Sequence, residues 1–235
     1  MSMPNIRPAL KKIIPLMLRA QERNLNEADT RLRILKVLSD VLGYDEMREV
    51  TSEQRLKDKY VDFAVIIDGD IEFLIEVKAA NVKLRYRQIE QAEMYAAKNN
   101  YNWVLLTNGV AWHLYHLTFS EGIEYETAFI VDLATDTLDT ATEALCLLHR
   151  QSIVKGYLED FWQEKLALGP ASLGRAIFTE DVLKSVRREV RRKDGILIDI
   201  EDLAQAIRTL FTAEARESMG PLKIRKAYKP KGKKK

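Results

Sequence analysis

Asp62, Glu76 and Lys78 are the residues of this sequence whose types and spacing could do chemistry together. From Val61 the chain alternates, with Phe63, Val65 and Ile67 interleaved with Asp62, Ala64 and Ile66. Asp68-Gly69-Asp70 is a turn signal, and a second alternating run follows from Ile71 to Ala80. A hairpin turning about Gly69 with a three-residue tip sets Ile67 against Ile71, Val65 against Phe73 and Phe63 against Ile75. One face is then apolar throughout, completed by Val77 and Ala79. A slip of one residue would oppose apolar and charged side chains, so the register is well determined. It places Asp62 across from Glu76, with Lys78 two residues on and on the same side. Directly opposed residues have Cβ atoms about 4.5–5.5 Å apart. That separation suits two carboxylates holding one Mg²⁺, whose oxygen ligands lie at about 2.1 Å. Without a cation such acids repel. The lysine offsets part of that repulsion and could orient or deprotonate a water, in an arrangement suited to metal-assisted phosphodiester hydrolysis. The spacing alone is short, and alternating charges often decorate nothing more than a solvated sheet face.

The elements around the hairpin are legible from periodicity. Residues 4–23 carry an apolar stripe of Ile6, Leu10, Ile13, Ile14 and Met17, which predicts a first helix. A second begins after Asn26, a good N-cap, with Glu27 and Asp29 favouring the positive end of its dipole and Gly43 ending it. Leu84 to Lys98 predicts a third helix. Trp103–Thr107 and Val110–Leu117 read as strands joined at Asn108-Gly109, and Thr127–Leu133 as a last strand. Residues 140–168 read as helical, Gly169–Gly174 as a linker, and Glu180–Lys193 and Glu201–Phe211 as two further helices. The expected organisation is an α/β domain over 1–168, a small helical region over 169–220 and a basic, disordered tail over 221–235.

Composition narrows the function classes. The chain has 235 residues, 46% hydrophobic and 31% charged, ordinary for a globular protein. Its longest N-terminal apolar stretch, Ile13–Leu18, is interrupted by Pro15 and closed by Arg19, too short and broken for a signal peptide or membrane span. The lone Cys146 has no internal disulfide partner and sits in an apolar helical run, so a reducing cytoplasm and a buried, inert thiol are expected. The net charge of +2 hides an asymmetry: residues 223–235 hold eight Lys or Arg and no acid, leaving 29 basic against 35 acidic residues over 1–222. A basic tail of this kind suits nucleic acid through counterion release, and also occurs as a merely solvated end. Gly169–Gly174 has the glycine spacing of a phosphate-binding loop but continues into Arg175-Ala176, without the lysine and hydroxyl such a loop needs. His113 and His116 lie three apart on one strand and point to opposite faces, so a histidine zinc site has no foundation. No serine occupies a nucleophile elbow.

The motifs occur in a family-like order: Asn26-Glu27-Ala28-Asp29-Thr30-Arg31, Leu42-Gly43-Tyr44, Tyr60-Val61-Asp62-Phe63-Ala64, Ile75-Glu76-Val77-Lys78, Gln91-Ala92-Glu93-Met94-Tyr95 and Leu106 through Trp112. This succession, over about residues 25–117, resembles the N-terminal nuclease domain of type I restriction enzyme R subunits and their stand-alone relatives, within the PD-(D/E)XK nuclease superfamily. The resemblance implies a restriction-endonuclease-like fold, a central mixed sheet flanked by helices, cutting DNA with Mg²⁺ or Mn²⁺. Carried onto matching positions, Asp62 and Glu76 would be metal ligands aided by the Val77 carbonyl, Lys78 the catalytic lysine and Glu27 an auxiliary acid. Gln91 and Tyr95 match a Q-x-x-x-Y element and share a helix face, where they would steady Lys78 or a DNA phosphate. Val61 stands where the family pattern has proline. Helicase motifs are lacking, so the chain would act alone or with a separate motor or specificity chain, and opposed strands would favour a homodimer. The expected activity is a cytoplasmic Mg²⁺-dependent endodeoxyribonuclease from a restriction or phage-related system. A non-catalytic DNA-binding or adaptor protein on the same fold is the alternative.

Overall fold

A computed structural model describes residues 3–52, 61–120 and 122–225. The strongly basic end lies outside them from Lys226 onward. The chain divides into two compact units, Met1–Glu159 and Asp160–Lys235.

The first unit is mixed α/β. Helices α1 (Arg7–Glu22) and α2 (Glu27–Asp40) precede β1 (Val50–Ser52), β2 (Phe63–Ile67) and β3 (Asp70–Val77). A 3-10 turn over Tyr86–Ile89 leads into α3 (Glu90–Asn99), followed by β4 (Trp103–Thr107), β5 (Ala111–Thr118) and β6 (Glu124–Asp132). Short helices α4 (Leu138–Leu145) and α5 (Arg150–Val154) then follow, and α6 (Tyr157–Leu168) runs across the division. The six strands lie in sequence order in one sheet. Every neighbouring pair is antiparallel except β3 and β4, which run parallel because α3 carries the chain back between them.

Burial follows from that topology. All of β4, and Phe73 to Val77 of β3, are buried at successive positions, so both faces of the central strands are covered. On one face Ala64, Leu74, Val104, Leu106, Tyr115 and Leu117 pack with Ile89, Ala92 and Ala96. Tyr44 meets Phe73 edge to face and donates to the Leu148 carbonyl at 2.7 Å. Cys146 is buried, and burial pushes its thiol pKa up, so it is a small hydrophobe.

The structure departs from the expected elements at definable points. The hairpin turns on two residues, Asp68 and Gly69, both with positive φ, and Ile67 pairs with Asp70. An Asp-Gly pair favours this tight mirror-image turn, because Gly69 meets the left-handed conformation at no steric cost. The residue gained at the tip reappears as a register shift that leaves Glu72 unpaired, so Ile66 rather than Ile67 faces Ile71. Beyond the shift Val65 faces Phe73 and Phe63 faces Ile75, as expected. The third helix begins at Glu90 after the 3-10 turn, and residues 140–168 are broken at Cys146–His149 and at Lys155-Gly156.

The second unit is helical over its described residues. The expected linker is a helix, α7 (Pro170–Ile177), because Pro170 sits at its first turn, where a missing N–H costs nothing. It is followed by α8 (Glu180–Asp194), α9 (Ile200–Thr209) and α10 (Ala213–Met219). Phe178, Leu183 and Ala204 form a core cluster, with Ile200, Ile207, Phe211, Met219, Leu222 and Ile224 packed on it. Gly174 is required where α7 meets α10: a Cβ there would fall 2.3 Å from the Met219 sulfur.

Candidate active site

The start of α2 is fixed by its cap. Asn26 Oδ1 accepts from the Asp29 N–H at 2.8 Å, and the Thr30 hydroxyl donates to the Asn26 carbonyl at 2.7 Å. This end presents Glu27 and, one turn later, Arg31 on the same face.

The adjoining ends of β2 and β3 supply the other charges. Regular pairing stops at Phe63 and Ile75, and beyond it the Asp62 N–H donates to the Ile75 carbonyl at 3.1 Å. The Asp62 side chain then takes over: Oδ2 accepts from the Val77 N–H at 2.7 Å and Oδ1 from Arg31 Nη1 at 2.7 Å. Glu76 is a carboxylate inside the five-residue buried run of β3, and its Oε1 accepts from Lys78 Nζ at 2.5 Å. Lys78 Nζ also stands 4.0 Å from Glu27 Oε2, while its backbone N–H donates to the Thr107 carbonyl at 2.9 Å. Three acids and two cations from α2, β3 and the flanks of the hairpin strands therefore meet, with one formal negative charge in excess. Asp62 and Glu76 are 8% and 9% exposed, so this is no solvated sheet face.

Burial dominates the electrostatics. It pushes the Asp62 carboxyl above its ordinary range, against the opposing pull of the Val77 N–H and Arg31. It pushes Glu76 up to about 7, with the Lys78 hydrogen bond opposing and the Asp62 charge adding to the rise. Lys78 is pulled down by burial, but its pairing with Glu76 and the charges of Glu27 and Asp62 more than offset this and raise it. Lys78 is thus held in its ammonium form, donating to Glu76.

The carboxylate oxygens are of the kind a hard divalent cation takes, and the cluster as a whole carries one negative charge more than its two cations offset. Among the described residues no group of three or more His, Cys, Asp or Glu side chains is gathered that could hold a metal.

The structure brings Asp62, Glu76, Lys78 and Glu27 together. Gln91 lies in α3, its side chain outside what is described. Tyr95, also in α3, is half-buried against the core cluster, with its ring 6.1 Å from that of Tyr101. Arg31 was not assigned from sequence. Its position four residues after Glu27 was the available signal, but only the tertiary fold sets that face against Asp62.

Residues 26–130 match the family model described as Type I restriction enzyme R protein N terminus, a span that contains the whole charge cluster. No curated protein and no solved structure matches the chain.

Proposed function

We propose, from the match of residues 26–130 to the family model of the type I restriction enzyme R protein N terminus, that this chain is a metal-dependent endodeoxyribonuclease of the PD-(D/E)XK type. The observation that carries the reading is the convergence of Asp62, Glu76, Lys78 and Glu27, with both hairpin acids buried. Asp62, Glu76 and the Val77 carbonyl would hold Mg²⁺, and a bound Mg²⁺ supplies polarisation of a phosphoryl oxygen and acidification of water. The chain's own groups do the rest. Lys78, protonated and held between Glu76 and Glu27, places a positive donor where negative charge grows on the phosphate. Glu27, more exposed than the other two acids, can accept a proton from an attacking water. The Val77 N–H and Arg31 fix the rotamer of Asp62.

The test is cleavage of linear, circular and single-stranded DNA, with RNA alongside, in Mg²⁺, Mn²⁺ or EDTA. Metal-dependent cutting should disappear in Glu76→Ala and Lys78→Ala while DNA binding persists. A second reading, a non-catalytic DNA-binding or adaptor protein, is favoured by one observation: Asp62 already has both oxygens engaged within the protein. Binding without cutting of any substrate would select it.

A further inference from the structure

The segment leaving β3 has a feature that the charge cluster does not use. From Lys78 to Ile89 the chain contains no acid, and Lys83, Arg85 and Arg87 occupy alternate positions within it. Their side chains are exposed, whereas Leu84 between them is 7% exposed and Tyr86 packs on the same core cluster. Tyr86 is pinned further, stacked on Tyr125 and set edge-on to Tyr115. Lys83 and Arg85 thus leave the stretch before the 3-10 turn and Arg87 leaves the turn itself, all three exposed, while Leu84 and Tyr86 anchor the segment inward.

The segment is held at several points. The Ala80 N–H donates to the Leu25 carbonyl at 3.1 Å, and Asn81 Nδ2 to Asn24 Oδ1 at 3.0 Å. Asn108 Nδ2 donates to the Val82 carbonyl at 2.9 Å, and the Arg85 N–H to Gln88 Oε1. Asn24 and Leu25 lie just before the Asn26 cap, so the row is tied to the same chain ends that position Glu27, Arg31 and Lys78. Among the described residues no carboxylate pairs with Lys83, Arg85 or Arg87.

We propose that Lys83, Arg85 and Arg87 form a phosphate-tracking edge that holds the backbone of duplex DNA beside the carboxylate cluster. This rests on the nuclease reading of that cluster. Three exposed cations with no acid among them, on a segment anchored at several points, suit a ligand that carries several negative charges along its length. Two of them are arginines, whose forked guanidinium suits phosphate oxygens. Such contacts set register and orientation and carry no sequence information.

The edge is tested in full-length protein by comparing wild type with the triple variant Lys83→Ala, Arg85→Ala, Arg87→Ala. Binding of a labelled DNA duplex is followed by fluorescence anisotropy in EDTA across a salt series. Each lost phosphate contact removes about 0.9 from the slope of log affinity against log salt. The expected result is a slope shallower by about two to three, with weaker binding at low salt and an unchanged thermal midpoint. The charge-preserving variant Lys83→Arg, Arg85→Lys, Arg87→Lys should keep the wild-type slope. Wild-type DNA binding with an unchanged slope in the triple variant overturns the edge and leaves the nuclease reading standing. Failure of wild type to bind DNA at all overturns both. A slope change confined to an RNA duplex overturns the assignment to DNA.

Discussion

Glu76 is the residue at which burial and chemistry conflict most openly. Its carboxyl is raised from 4.5 to about 7, so the folded protein holds a proton there that the unfolded chain has released. Between those values the native state binds more protons than the unfolded state, and stability therefore falls as pH rises. The contribution is fully present below 4.5 and is lost by about pH 7. A shift of this size corresponds to roughly 3 kcal/mol. Glu76→Gln keeps the shape and an acceptor for Lys78 but cannot ionise. In EDTA the variant should match wild type near pH 4.5 and exceed its stability at pH 8. Urea midpoints measured from pH 4.5 to 8 would show wild type declining and the variant nearly flat; parallel profiles would refute the assignment. The same buried excess of negative charge gives a divalent cation a reason to bind there.

At the scale of elements, the position of α2 determines whether the acids have partners. Its start depends on the Asn26 side chain, and replacing a capping Asn with Ala costs about 1 kcal/mol. Asn26→Ala should lower unfolding free energy by that amount in chemical denaturation, and Asn26→Asp should restore it. Equal stability of Asn26→Ala and wild type would show that the cap is dispensable. The cap, the helix and most of the hairpin register were legible in sequence because each is governed by local chemistry: an acceptor at the cap, a 3.6-residue stripe, and apolar alternation between Phe63 and Ile75. A three-residue tip is one residue too long, because the positive φ of Asp68 permits a two-residue turn that alternation alone does not signal. Gly169–Gly174 looked like a linker because glycine and proline dominate it, yet proline at a helix start is as local a signal as any. The Arg31–Asp62 bond was beyond sequence reasoning, since it joins residues 31 positions apart whose meeting depends on how α2 lies against β3.

On the scale of the molecule, the division into two units carries an energetic consequence. One core cluster of the second unit is Phe178, Leu183 and Ala204, ringed by partly buried apolar side chains, and Trp162 and Leu203 are buried in the same unit. Its described end is stitched to the start of α8: the Arg225 N–H donates to the Phe178 carbonyl at 3.0 Å, and the Glu180 N–H to the Arg225 carbonyl at 2.8 Å. A unit this small buries a modest share of its surface and has little stability to spare. Leu183 is wholly buried, and truncating a buried leucine to alanine costs 2–5 kcal/mol. That loss is a large share of the stability of a unit this size, roughly 4–11 kcal/mol at about 0.05–0.15 kcal/mol per residue. Leu183→Ala should therefore loosen the second unit while Met1–Glu159 keeps its fold, because among the described residues the two hydrophobic clusters share no member. Hydrogen exchange read by mass spectrometry would resolve the two. Amides of α8 and α9 should lose protection in the variant, and those of β3 and β4 should retain it. Parallel loss of protection in β3 and α8 would show that the two units unfold as one, and a site in the first would then depend on packing in the second.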